Sequence, residues 1–358
     1  MSKRIGILTG GGDCPGLNAV IRAVVLHARN TFGWETVGIR NGFEGLYEED
    51  YVDLDPARVA PLLARGGTML GSSNRANPFA YPLKLPDGRS EIHDVSARCL
   101  ANLAKLDLGG LIVVGGDGTM SFGQKFIERG ANRIVGVPKT IDNDLEATEM
   151  TIGFATAVEV VVEALERLHT TAESHDRVMV VEVMGRHSGW IATYAGIAGG
   201  ATAILIPEEP FDIEAVCELL RNRHDRGRYA SIVVVAEGAE PKEGSMRSRD
   251  KVYDQFGHVR LGGVAETIAN AIEDRTGFET RMVLLGHIQR GGTPTAFDRV
   301  LSTRYGVAAI DAVHNQAWGH MVVLRGDAVT TAPLSETVGR TRPVDMHLYH
   351  EVAEVFFG

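Results

Sequence analysis

Short apolar runs recur along the chain, each closed by a glycine-rich or polar loop: Ile5–Thr9, 111–114, 134–138, Val178–Val183, Ala203–Ile206, Ile232–Ala236 and Met282–Leu285. Runs of this length without polar alternation read as strands buried on both faces. Helix-length segments separate them. One runs from about Gly16 to Asn30; another, Phe154–His169, carries apolar residues at 154, 158, 161, 162, 165 and 168, a single helical face. Strands alternating with helices predict βαβ units, parallel sheets and right-handed crossovers, an α/β fold. No internal repeat is visible. The proline-containing stretch Asn74–Arg89 predicts loop, and the polar stretch Glu240–His258 a surface excursion.

A chain of 358 residues has room for two domains. Its 44% hydrophobic content, 42 glycines and mean hydropathy of −0.02 suit a soluble α/β protein with many tight turns. The net charge of −10 and pI near 5.7 argue against nucleic-acid or membrane-surface binding, which calls for a basic face. No run approaches the ~20 apolar residues of a membrane span. The start MSKRIGILTGGG does not have the pattern of a secretory signal. Cys14, Cys99 and Cys217 form neither a CxxC pair nor an even framework, which predicts a reducing cytoplasm. Cys14, inside a glycine loop, reads as a small residue in a tight turn rather than a reactive thiol.

The chemistry gathers where predicted strands end, the place where open α/β sheets form their ligand crevice. Gly10-Gly11-Gly12-Asp13-Cys14-Pro15-Gly16 follows the first strand and opens a helix, so glycine backbone and free N–H groups can face phosphate. It matches neither GxxxxGK[ST] nor GxGxxG. Gly115-Gly116-Asp117-Gly118-Thr119 sets one carboxylate among glycines, where it can hold Mg²⁺ beside a phosphate or, more blandly, cap the next helix. Pro138-Lys139-Thr140-Ile141-Asp142-Asn143-Asp144 supplies two carboxylates able to divide labour between proton transfer and metal. The bland alternative is an Asp- and Asn-rich turn.

Three further loops follow strands: Met184-Gly185-Arg186-His187-Ser188-Gly189-Trp190, Glu237-Gly238, and Gly286-His287-Ile288-Gln289-Arg290-Gly291-Gly292. Arg186 and Arg290 suit bidentate phosphate recognition, Glu237 can accept from sugar hydroxyls, and His287 can donate to a phosphate. His169, His175 and His187 lack zinc-ligand spacing.

Taken together, GGGDCPGLNAVIRA, GGDGT, PKTIDND, EVMGRHSGW and GHIQRGGTPTAFDR resemble the hallmark motifs of the 6-phosphofructokinase family, in order and at its spacing, from about residue 3 to beyond 310. The resemblance implies two doubly wound parallel-sheet, Rossmann-like domains with the active site between them. Residues 1–153 with about 289–340 would bind the phosphoryl donor, and about 154–288 with 341–358 fructose 6-phosphate. It implies a cytoplasmic glycolytic kinase that uses Mg²⁺ and transfers a phosphoryl group to the 1-hydroxyl of fructose 6-phosphate. By motif, Asp142 is the general base, Thr140 lies beside the transferring group, Arg186 stabilises the transition state, and Asp117 and Asp144 are the metal-side carboxylates. Gly12, Arg75, Gly116, Asp117, Gly118, Thr119 and Lys139 belong to the donor site. Met184, Gly185, Glu237, His287 and Arg290 line the sugar-phosphate site together with Thr140, Asp142, Asp144 and Arg186. Arg177 and Arg281 match arginines that reach a neighbouring subunit, implying a homo-oligomer, a dimer of dimers, with shared sites. Gly118 matches ATP-using members and Lys139 pyrophosphate users; ATP is the expected donor, with pyrophosphate the alternative. For an effector site, Arg22 fits, Leu26 lacks the expected charge, and Arg226 and Arg228 are further candidates.

Overall fold

The computed structural model describes residues 3–73, 76–84, 88–246 and 262–358. In chain order its strands are β1 (Arg4–Thr9), β2 (Glu35–Ile39), β3 (Tyr51–Leu54), β4 (Tyr81–Lys84), β5 (Ser90–His93), β6 (Gly110–Gly115), β7 (Ile134–Pro138), β8 (Val178–Val183), β9 (Ala203–Leu205), β10 (Ser231–Ala236), β11 (Thr280–Leu284), β12 (His320–Arg325) and β13 (Ala328–Pro333). The chain forms two compact units: residues 1–141, 145–155 and 290–340 in the first; 142–144, 156–289 and 341–358 in the second.

Unit one holds a seven-stranded sheet in the order β13-β12-β7-β6-β1-β2-β3. Its centre is parallel, and β3 and β13 close the two edges antiparallel. β6 and β7 are buried along their whole length, as their unbroken apolar runs require. Leu8, Ile39, Leu111, Val113, Met120, Phe126 and Ile134 form one side of that core. At roughly 1.5–3 kcal/mol per fully buried aliphatic or aromatic side chain, this packing outweighs local propensity in setting the strands. The helix Leu17–Phe32 starts at Gly16 and stops at Gly33, both in left-handed backbone, and packs on the helix Ala296–His314.

Unit two is built on a four-stranded, wholly parallel sheet, β11-β8-β10-β9. The helices Ile213–Asp225 and Val264–Thr276 pack on one face through Ile213, Leu220, Ile268 and Ile272. Two sequence expectations change here and in unit one. The helix predicted over Phe154–His169 runs on to His175: Ser174 Oγ donates back to Thr170 O, Thr170 Oγ1 to Arg167 O, and Ala172 is fully buried. The predicted loop Asn74–Arg89 contains β4, which pairs with β5 as an antiparallel hairpin. Much of the expected excursion Glu240–His258 lies outside the described residues. Among the described residues no helix is long and apolar enough to cross a membrane.

Candidate active site

In unit one the loops after β1, β6 and β7 converge because those strands are neighbours in the sheet. Gly10 N donates to Val114 O at 2.9 Å and Lys139 N to Gly115 O at 2.9 Å, tying the three loops together. Lys139 is 3% exposed, and its Nζ donates to Gly12 O. Arg290 comes to the same loop: its guanidinium donates to Asp13 O at 3.3 Å, and a Cβ on Gly12 would stand 2.7 Å from Arg290 NH1. The tip of the Arg290 side chain thus lies directly against Gly12. Ser72 Oγ donates to Gly11 O and Gly11 N to Ser73 O at 3.3 Å, so Ser72 and Ser73 reach the glycine loop. Arg75 itself lies outside the described residues.

Gly116 precedes the helix Asp117–Glu128, so Asp117 is its first residue and not its cap. The exposed Asp117 carboxylate accepts from Gly339 N at 2.8 Å. Thr119, 5% exposed, sits beneath the loops, filling the space a Cβ on Gly10 or Gly115 would take. It supports the backbone more than it faces solvent. Gly118 is exposed, and a Cβ there would meet nothing within 4 Å. The Thr140 side chain is 3.8 Å from the Cβ position of Gly116, and Thr140 O accepts from Thr151 Oγ1 at 2.6 Å. Cys14 is fully buried and donates to Ile152 O, and burial pushes its thiol up to about 12. That favours the reading of a packed small residue.

In unit two, Asn143 is 1% exposed with φ of 52°, a left-handed conformation that asparagine tolerates better than most side chains. It separates the half-buried Asp142 and Asp144. Ser188 Oγ, from the loop after β8, donates to Asp142 O at 3.1 Å. Gln289, wholly buried, accepts from Met184 N at 3.2 Å and donates to Gly286 O at 3.0 Å. One side chain thus joins the loops after β8 and β11. The loop after β10 is joined by backbone: Gly238 N donates to Gly185 O at 3.1 Å. A Cβ on Gly238 would lie 2.1 Å from Arg186 O, so only glycine permits that approach. Met184, Gly185, Arg186, Glu237 and His287 are brought together in this way, with Arg186 and His287 exposed.

Arg177 and Arg281 are placed elsewhere. They stand at the amino ends of β8 and β11, and a six-residue strand spans about 20 Å. Both reach Glu279, Arg177 at 2.7 Å and Arg281 at 2.6 Å, and the Arg177 hydrogen bond holds that carboxyl below the usual range.

Sequence reasoning missed Gln289, Glu279 and two acidic anchors. Glu208 accepts from Gly189 N and Val344 N. Glu182, fully buried in β8, accepts from Gly263 N at 2.9 and 2.8 Å and from Ala265 N at 3.0 Å, holding the start of the helix Val264–Thr276. A carboxylate inside the apolar run VMVVEV was the available signal.

No group of three or more His, Cys, Asp and Glu able to cage a metal occurs among the described residues. That suits Mg²⁺, which keeps its waters and binds through one or two carboxylates plus phosphate oxygens. Asp117 of unit one, exposed beside glycine backbone, is a carboxylate of the kind such an ion takes.

The phosphofructokinase family model matches residues 4–313. The pyrophosphate–fructose 6-phosphate 1-phosphotransferase of Streptomyces coelicolor is 53% identical over 355 residues, 99% of this chain and 100% of that one. The ATP-dependent 6-phosphofructokinase of Mycobacterium bovis is 49% identical, covering 99% of this chain and 100% of its own. Among solved structures, Saccharomyces cerevisiae phosphofructokinase matches with a TM-score of 0.76 at 32% identity over 94% of this chain, which spans 45% of the yeast chain. The pyrophosphate-dependent phosphofructokinase of Marinobacter aquaeolei shares the fold, with a TM-score of 0.77 at 24% identity over 96% of this chain and 86% of its own. On family model, identity and fold alike, the chain belongs to the phosphofructokinase family.

Proposed function

We propose that the protein transfers the γ-phosphoryl group of MgATP to the 1-hydroxyl of fructose 6-phosphate, giving fructose 1,6-bisphosphate and ADP. The observation that carries the donor choice is the open space over Gly118, which leaves room for a nucleotide's α-phosphate. In this reading Asp142 takes the proton of the attacking hydroxyl. Arg186, exposed at the end of β8, meets the charge that develops on the transferring group. Thr140 lies beside that group, and the glycine backbones of 10–12 and 115–116 receive the donor phosphates. Asp117 and Asp144 would hold Mg²⁺, which would supply charge neutralisation on the phosphates. Met184, Glu237 and His287 hold the sugar phosphate. Arg177 and Arg281, presented as a pair on Glu279, serve a second copy of the chain, so the working enzyme is a homo-oligomer.

A second reading takes pyrophosphate as donor. It is favoured by Lys139, whose ammonium lies against Gly12 O where an extra cation would pair with a compact, highly charged donor. Relatives near half identity carry both names.

Asp142→Asn tests the chemistry common to both. General-base catalysis contributes about 10²–10⁴-fold, so turnover should fall by at least that lower figure while calorimetry still detects fructose 6-phosphate binding. Unchanged turnover would remove Asp142 from the mechanism.

A further inference from the structure

The backbone of the Asp142–Asp144 loop is gripped from two directions by groups to which no catalytic role has been given. The first grip is Ser188 Oγ on Asp142 O, at 3.1 Å. The second comes from the segment 341–345, which returns to unit two late in the chain. Arg342 N donates to Asp144 O at 2.8 Å. The segment is fastened in turn at two points. Trp190 Nε1 donates to Arg342 O at 3.2 Å, with the Arg342 guanidinium 4.3 Å above the indole ring. Two residues on, Val344 N donates to Glu208 Oε1 at 2.7 Å. The same carboxylate accepts from Gly189 N through both oxygens, at 3.0 and 2.9 Å.

Gly189 and Trp190 begin the helix Trp190–Ala198 and end the loop that carries Arg186 and Ser188. Glu208 and Trp190 therefore bolt one segment to the Arg186 loop, and that segment holds the carbonyl of Asp144. The carbonyls on either side of left-handed Asn143 are both fixed, and a sparsely populated backbone conformation persists only where its surroundings over-determine it. Phosphoryl transfer is sensitive to such placement: a displacement of about 1 Å can cost ~10²-fold in rate.

We infer that Glu208 and Trp190 are positioning residues for phosphoryl transfer, setting the Asp142 and Asp144 carboxylates against Arg186 through the 341–345 segment. The inference rests on Asp142 and Arg186 acting as proposed above.

Two variants test it. Trp190→Phe keeps an aromatic face under Arg342 and removes only the indole N–H. Glu208→Gln keeps the size of the side chain and one of its two acceptor oxygens. Each is measured beside the wild type for kcat, for KM of fructose 6-phosphate and for thermal unfolding. We expect kcat to fall about 10- to 100-fold, KM to stay within about threefold, and the unfolding midpoint to move by less than about 3 °C. Values of kcat within twofold of wild type in both variants overturn the inference. So does a fall in kcat that disappears when rates are corrected for the folded fraction, because the contacts are then structural only. A wild type that turns over with neither ATP nor pyrophosphate rejects the functional reading itself, and the inference with it.

Discussion

Replacing Gly118 with aspartate should separate donor choice from folding. Gly118 is the second residue of the helix Asp117–Glu128, lies outside the left-handed region, and has nothing within 4 Å of its Cβ position. Removing a helical glycine gains roughly 0.5–1 kcal/mol, and an acid in the first turn a further 0.3–1 kcal/mol. Aspartate's modest helix propensity and the adjacent Asp117 offset part of this, so stability should change by no more than about 1 kcal/mol, or about 3 °C in Tm. Catalysis should respond far more. A carboxylate about 4–6 Å from a phosphate charge, at an effective dielectric near 20, is repelled by about 3–4 kcal/mol. At about 1.4 kcal/mol per decade this is a 10²- to 10³-fold loss of kcat/KM for ATP. Pyrophosphate, which brings no third phosphate and no ribose to that space, should lose less. The assay is kcat/KM for each donor at saturating fructose 6-phosphate, with Tm measured on the same samples. If ATP kcat/KM stays within threefold, or both donors fall equally, the space over Gly118 does not select the donor.

Two predictions concern buried groups. Glu182→Ala would orphan the N–H groups of Gly263 and Ala265. At roughly 1–3 kcal/mol each, plus the lost side-chain packing, urea unfolding should report a loss of about 3–5 kcal/mol, and a loss under about 1 kcal/mol would contradict the anchoring role. Cys14, its thiol pushed from 9.0 to about 12, should resist alkylation at pH 8 in the native protein and react once unfolded. Its linked stability is full below the unfolded value of 9.0 and is lost as pH rises toward 12; native labelling as fast as that of a free thiol would show the site to be open.

The α/β class was legible because strands buried on both faces leave an unbroken apolar signature, as in LIVV before Gly115 and VMVV before Glu182. Where a strand lies at an edge or pairs antiparallel, the signature fades. β3 and β5 are short and partly or wholly exposed, and β13 mostly alternates exposed with half-buried positions; none stands out in the sequence. The β12–β13 hairpin did leave a cue, the turn residues Gly326-Asp327 between paired Arg325 and Ala328. Loops rich in glycine and aspartate could be read as chemistry because such residues have little packing value. Gln289, Glu208 and Glu182 could not be read so easily. Each acts by bonding backbone N–H or C=O groups that are remote in sequence, and only the fold brings those partners within reach. Arg177 and Arg281 illustrate the converse. The family resemblance singled them out, whereas their place at the amino ends of β8 and β11 follows from strand direction.

The most direct measurement is fructose 1,6-bisphosphate formation by the pure protein from fructose 6-phosphate and Mg²⁺, with ATP and pyrophosphate supplied in parallel. The account predicts turnover with ATP, with pyrophosphate at best a poor substitute. Turnover with pyrophosphate alone would mean that the buried cation of Lys139 governs the donor and that the open space over Gly118 does not.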